Sequence, residues 1–309
     1  MKKSVLVFAL KRIALFSVFA LTISGCVSCG GGEETADSSS TAESSKPAFT
    51  IRDDNNLVSD DNALEEGKYT DGEFVYYIKN NSASVVDYIG NKKQVEIPSS
   101  VDDIPVTAIS DNGFADISTI ESIKVPSSVT NIGSFAFSYC TGLKSIELPE
   151  TLVTIGSYAF NHCTSLESCK IPDSVSSLPQ SVFYYCESLK EVSLPKYLND
   201  IPKETFFYCK SLEEFTFPEF ATGTADYAFT GCSSLKKLNF GENFASVGKE
   251  SFRYCTSLQT LDFSKCKKIS MNEKAFADCT SIKKVIYPSE TSVPGNAFSG
   301  CGSIEYVNG

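Results

Sequence analysis

From about residue 109 onward, apolar and polar positions recur with one long period. Phenylalanines fall at Phe114, Phe137, Phe160, Phe183, Phe206, Phe229, Phe252, Phe276 and Phe298, six times at a spacing of 23 residues, then at 24 and 22. Three residues after them stand Ile117 and then Cys140, Cys163, Cys186, Cys209, Cys232, Cys255, Cys279 and Cys301. Three further on is always Ile or Leu, from Ile120 and Leu143 to Ile282 and Ile304. Self-similarity at a period of this length is the mark of a repeat architecture.

Within each unit the next residues alternate. In Leu143-Lys144-Ser145-Ile146-Glu147-Leu148-Pro149, Ile146 and Leu148 share one side and Glu147 takes the other, the period of a half-buried strand. Pro126, Pro149, Pro172, Pro195, Pro218 and Pro288 follow these strands and end them, because proline fixes φ and carries no ladder donor. A second column, Ile109, Ile132, Ile155, Leu178, Ile201, Thr224, Val247, Met271 and Val293, lies five residues before each phenylalanine, with Thr224 its one polar member. Ala136, Phe137 and Cys140, at i, i+1 and i+4, fit one face of a single helical turn. The pattern predicts about nine strand, turn and short-helix repeats stacked in a parallel array. One unit cannot bury its apolar side alone, so stacked copies share a core.

The motif Ile155-Gly156-x-x-Ala159-Phe160-x-x-Cys163-x-Ser165-Leu166-x-x-x-x-Ile171-Pro172 resembles the BspA-like, or Treponema-type, leucine-rich repeat family. The resemblance runs from about Gly72 to the C-terminus and implies a leucine-rich-repeat solenoid. It also implies an N-terminal capping segment over residues 73–108, carried by Phe74-Val75-Tyr76-Tyr77, Val95-Glu96-Ile97-Pro98 and Val106, with the repeats over 109–309. The chain stops at Tyr306-Val307-Asn308-Gly309, directly after a strand and without a distinct cap.

The N-terminus reads differently. Residues 1–25 carry Lys2, Lys3, Lys11 and Arg12 and an apolar run from Ile13 to Ile23, the length of a signal sequence and too short to span a bilayer. The run ends Leu21-Thr22-Ile23-Ser24-Gly25-Cys26, which resembles the bacterial lipoprotein processing box and makes Cys26 the lipidation site. Val27 follows, so the aspartate of an inner-membrane retention signal is absent, which favours the outer membrane or cell surface. The membrane is then met only through an N-terminal lipid anchor. Residues 26–72 read as a flexible tether with 11 acidic and 3 basic residues. The formal charge is −11 for the whole chain, with −7 over residues 73–309, and such a chain has no electrostatic reason to seek nucleic acid.

The recurring cysteines allow buried thiols, bridges between neighbouring rungs, or a metal site. Ile117 takes the cysteine place in the first repeat and Cys169 takes a strand place held elsewhere by Ile, Val, Leu or Phe, so burial accounts for them best. A column with one thiol per repeat offers no tetrahedral closure for a metal. Cys29 and Cys266 stand apart. Lys265, Lys267 and Lys268 would lower the pKa of an exposed Cys266 thiol, against the plainer reading of an ordinary turn cysteine.

Catalysis has little to draw on: His162 is the one imidazole, at a place held elsewhere by Tyr, Gly or Asp. No catalytic residue, cofactor motif or metal site is assigned. Recognition is expected on two outward surfaces. One is the strand face, with Glu213, Glu214 and Thr216 beside Lys236, Lys237 and Asn239, an acidic band next to a basic one that could also pair with each other across rungs. The other is the column Tyr139, His162, Tyr185, Tyr208 and Tyr254, with Tyr184 and Phe207 beside it, which either contacts a ligand or pads the outer turns. Two functions compete: a surface adhesion module for a protein or glycan, as the resemblance implies, and an envelope lipoprotein that holds a polysaccharide or an outer-membrane partner.

Overall fold

The computed structural model describes residues 66–309. The lipidation site Cys26, the signal segment and the tether as far as Glu65 lie outside the described residues.

The body is a parallel β-solenoid of about ten turns, built on two strand ladders and one column of turns. It opens with an antiparallel meander, β1 (Gly67–Thr70), β2 (Phe74–Lys79) and β3 (Ser82–Tyr88). Strand β4 (Gln94–Glu96) follows, then the short β5 (Ser100–Val101) and β6 (Ile104–Ile109), which lies parallel to β3. Among the described residues, pairing reaches back into the segment read as tether, where Gly67–Thr70 pairs with Val75–Ile78. The stack also starts before residue 109, since Val95 of β4 sits in register with Ile123 of the first full repeat.

The major ladder runs through β4, Ser122–Lys124, Ser145–Glu147, Ser168–Lys170 and Glu191–Ser193, then Glu214–Thr216 and Lys237–Asn239, then Thr260–Asp262, Lys284–Tyr287 and Glu305–Asn308. Its inward residues, such as Ile123, Ile146, Cys169, Phe215 and Leu261, are buried as the alternation predicts. The minor ladder carries the second apolar column, with Ile132, Ile155, Ile201, Thr224, Val247 and Met271 buried on its strands. Thr224 keeps its place because its hydroxyl accepts from the Ser251 hydroxyl at 2.9 Å and from the Gly248 N–H at 3.2 Å in the next rung.

Numbering rungs by their phenylalanines, Phe114 to Phe276 are fully buried, and their rings stack 4.9 to 5.6 Å apart from rung to rung. Offset stacks of this kind add about 0.5–1.5 kcal/mol per pair beyond area burial.

The segment holding each phenylalanine is not a helical turn. It is two consecutive tight turns, and in most rungs non-glycine residues stand at positive φ two places before and two after the ring, as at Phe135 (57°) and Tyr139 (59°), or Tyr158 (59°) and His162 (56°). Within a rung, Ser138 N–H donates to Phe135 C=O and Cys140 N–H to Phe137 C=O; between rungs, the N–H groups of Phe135, Phe137 and Tyr139 donate to the Ser157, Ala159 and Asn161 carbonyls of the next rung. The i, i+1, i+4 pattern fits a helix, but the inter-rung bonds claim every second N–H, and the outer two donors, Phe135 and Tyr139, take the left-handed conformation. That costs about 1–2 kcal/mol per residue and persists because the stack over-determines it.

The rungs are not joined uniformly. The major ladder pairs neither Glu191–Ser193 with Glu214–Thr216 nor Lys237–Asn239 with Thr260–Asp262, and the minor ladder has no strand between Thr154–Ile155 and Asp200–Ile201. In the minor ladder Gly156 N–H donates to Ile132 C=O at 2.8 Å, whereas Pro179 and Pro202 hold the equivalent places and have no N–H to give. In the major ladder the first break falls where Val192 and Leu194 give way to Phe215 and Phe217, and at the second the minor ladder still pairs Gly223–Thr224 with Ser246–Val247. Rungs four and five, those of Phe183 and Phe206, are joined instead through the turns: Ser181, Phe183 and Tyr185 N–H donate to Lys203, Thr205 and Phe207 C=O at 2.9, 3.0 and 2.7 Å.

Candidate functional site

On the strand face the outward residues preceding each major strand form one row, Lys93, Glu121, Lys144, Glu167, Lys190, Glu213 and Lys236, whose sign alternates from rung to rung. Lys93 and Lys144 both reach Glu121, at 2.7 and 2.9 Å, Lys190 reaches Glu167 at 2.9 Å, and Lys236 reaches Glu213 at 2.8 Å. These hydrogen bonds bring the Glu121 carboxyl down to about 2. Beside this row, Lys237 Nζ lies 2.7 Å from Glu214, and Asn239 Nδ2 donates to Glu214 Oε1 at 2.7 Å and to Thr216 Oγ1 at 2.9 Å. The Glu214 carboxyl is lowered by the bond from Lys237 first and from Asn239 second. The structure brings Glu213, Glu214, Thr216, Lys236, Lys237 and Asn239 together, and they satisfy one another. Exposed pairs like these are screened and add little to stability. A shallow hollow of about 300 Å³ interrupts the face where Ser145, Ser168 and Ser193 are small.

The turn face is built otherwise. Tyr139, His162, Tyr185 and Tyr208 occupy the second left-handed position of successive rungs, and their rings stack at 4.4, 4.8 and 5.0 Å with planes within 10°. A second row lies alongside: Phe135 on Tyr158 at 4.9 Å and Tyr184 on Phe207 at 4.8 Å, with Tyr158 and Tyr184 edge to face at 6.1 Å. Tyr184 meets Tyr185 at 4.9 Å and Phe207 meets Tyr208 at 4.8 Å, so the two rows join into one surface of eight rings over rungs two to five. Phe135 and Tyr139 are 38% and 39% exposed. Burial raises the Tyr139, Tyr184 and Tyr185 phenols and lowers His162, whose Nδ1 lies 2.6 Å from Asn161 Oδ1.

The surface ends at rung six. Gly231 takes the position at φ 77°, and a Cβ there would stand 2.9 Å from the Tyr208 ring. Tyr254, grouped with the column by sequence, is therefore separate: the Arg253 guanidinium lies over its ring at 4.5 Å and is itself held by Glu250 and Asp278. Phe135 and Tyr158 were missed by sequence reasoning. They stand four residues before Tyr139 and His162, at the other left-handed position, where the column also contains Ser181, Glu204 and Lys274 and so shows no aromatic rule.

The cysteine column is a column of thiols. The Sγ atoms of Cys140, Cys163, Cys186, Cys209, Cys232, Cys255, Cys279 and Cys301 each donate to the phenylalanine carbonyl of the preceding rung at 3.0 to 3.2 Å. The ten cysteines among the described residues are unbridged. Cys266 is not an exposed, activated thiol: it is buried, its Sγ lies 3.7 Å from Gly241 C=O, and burial together with Asp262 pushes it up to about 11 despite the neighbouring lysines.

The chain matches the BspA type leucine rich repeat region over residues 107–226 and 199–309, and it belongs to that family. Among solved structures it is similar to a leucine rich repeat protein of T. pallidum, with 31% identity, 62% of this chain and 91% of that one covered, and a TM-score of 0.57. A leucine-rich repeat protein from Bacteroides ovatus shares the fold at 23% identity, covering 78% of each chain with a TM-score of 0.55. No curated protein matches the chain. The family is one of repeat proteins whose fold serves as a scaffold for protein interaction.

Proposed function

We propose that the chain is a lipid-anchored binding protein of the cell surface, held in the bacterial outer membrane through Cys26, that attaches to a host or cell-surface protein or glycan through its repeat surface. The observation that carries this reading is the eight-ring surface on the turns. A protein that needed those rings only for packing would bury them, whereas here the second shell of aromatics stands outside a phenylalanine stack that is already complete. The strand face, whose charges are engaged with each other, is the poorer candidate.

The test is made on whole cells. Protease and antibody should reach the repeats on intact cells, Cys26→Ser should release the chain from the membrane fraction, and cells displaying it should adhere to matrix-coated surfaces. A chain shielded from protease on intact cells, with no adhesion, would instead fit the envelope role of holding a polysaccharide or an outer-membrane partner.

A further inference from the structure

We infer that the exposed end of the ring rows, at rung two, is a seat for a single sugar ring, which makes the ligand of this surface a glycan; this rests on the binding role just proposed. Inside the inner row both faces of a ring are taken. His162 lies between Tyr139 and Tyr185, and Tyr185 between His162 and Tyr208, at 4.4 to 5.0 Å. In the second row Tyr158 meets Phe135 on one side and Tyr184, edge to face, in the next rung. Phe135 and Tyr139 differ. Each has a ring stacked on one face, at 4.9 and 4.4 Å, and among the described residues none on the other.

The rows stop there because of two residues. Rung one carries Asn112 (φ 60°) and Asp116 (φ 62°) at the left-handed positions that hold Phe135 and Tyr139 in rung two. Its backbone is joined to rung two in the usual way, with Asn112 N–H on Ser134 C=O at 3.0 Å and Asp116 N–H on Ser138 C=O at 2.8 Å. Both side chains are exposed. The turn face therefore has a step, with the floor of a full rung below and short polar groups where the repeat would set two more rings.

A pyranose fits that step in shape and in chemistry. The face of an aromatic ring is negative, and the C–H groups on the flat side of a sugar are weakly positive, so the two lie face to face. A sugar ring is about as thick as the ~4.8 Å between stacked strands, and it continues the column as another ring would. Its hydroxyls then point to the rim. The Asn112 amide both donates and accepts there, and a carboxylate has about four acceptor sites, so a sugar hydroxyl adds to the contacts Asp116 makes within the fold. Burial first and the Asp116 charge second raise the Tyr139 phenol, which keeps its proton and can donate as well. An aromatic side chain from a peptide would match the ring faces alone; a sugar matches the faces and the polar rim together.

The experiment applies the full-length chain to an array of gluco-, galacto- and manno-configured oligosaccharides and, in parallel, to deglycosylated matrix proteins. At least one saccharide should bind, and Tyr139→Ala should weaken it about tenfold or more, the scale of a lost aromatic anchor. The decisive variant fills the step. Asn112→Phe with Asp116→Tyr adds one ring to each row at backbone positions that hold Phe and Tyr in rung two, so circular dichroism should show a fold at least as heat-stable as the wild type, with saccharide binding lost by the same margin. Glu213→Lys with Glu214→Lys on the strand face should not weaken binding. Unchanged saccharide binding by the folded, filled variant overturns the inference, and if that variant does not fold, unchanged binding by Tyr139→Ala does so. An array on which no saccharide binds overturns it too; matrix proteins bound in that case would leave the adhesive role standing and change only the class of partner. Conversely, a chain shielded on whole cells that still binds saccharide through Tyr139 would lose the surface role and keep this site.

Discussion

The strand face and the turn face repeat with the same period and stand on the same rungs, yet the side chains of one pair across rungs by opposite charge and those of the other stack like on like. Along the strands, Lys93, Glu121, Lys144, Glu167, Lys190, Glu213 and Lys236 alternate in sign, so each charge finds its opposite one rung away. On the turns like follows like, and stacking satisfies the faces of the rings but cannot satisfy their edges. The polar face is thus the self-sufficient one.

The largest test of this contrast lies beneath the turn face. Phe206→Ala is expected to cost about 3–5 kcal/mol in denaturant unfolding. Phe298→Ala should cost less, because that ring is only partly buried. Next comes the thiol column: Cys209→Ala removes both a buried sulfur and its bond to Phe183 C=O, with an expected loss of about 1–2 kcal/mol. Among the described cysteines, native thiol alkylation should proceed first at Cys301, which is half-buried and pushed up only to about 11, while the fully buried Cys163 and Cys186 stay unmodified until unfolding. Gly231→Ala should destabilise by about 1 kcal/mol, since it places a Cβ against Tyr208 at a left-handed backbone. The smallest effect belongs to the strand face. Glu121 has a depressed carboxyl, so its contribution is whole above the ordinary carboxylate range and fades as pH falls toward about 2. Glu121→Gln should therefore lower the melting temperature slightly at pH 7 and not at all at pH 2; a shift that grows on acidification would refute the pairing.

Much of this architecture was legible in the residues. The phenylalanine spacing, the alternation at Ile146 and Leu148 and the terminating prolines gave the repeat, its strands and their direction, because each states a burial requirement that one sequence can display. The turn was misread because Ala136, Phe137 and Cys140 have the spacing of a helical face, and the competing bonds come from the next rung, where local periodicity does not reach. A clue was present: Gly231 and Asp278 share a column with Tyr139 and Tyr185, and that mixture suits a left-handed backbone, which tolerates Gly and Asp most readily. The binding candidates on the strand face were named correctly as neighbours. That they neutralise each other follows only from the register between rungs.

The missing pairing between rungs four and five bears on mechanics. Elsewhere along the stack a strand ladder must be unzipped, but here a load along the axis meets no ladder, and is borne by the turn bonds at Ser181, Phe183 and Tyr185, the Ser211 N–H on Glu187 C=O, the Cys209 thiol on Phe183 C=O, the side-chain contacts of Glu187 and Glu204, and the rings beside them. A chain pulled from both ends would part first at this junction, yielding two blocks that each keep their strands. Since Tyr184–Phe207 and Tyr185–Tyr208 span that seam, whatever grips those rings would also splint it, and the grip would toughen the molecule at its weakest point.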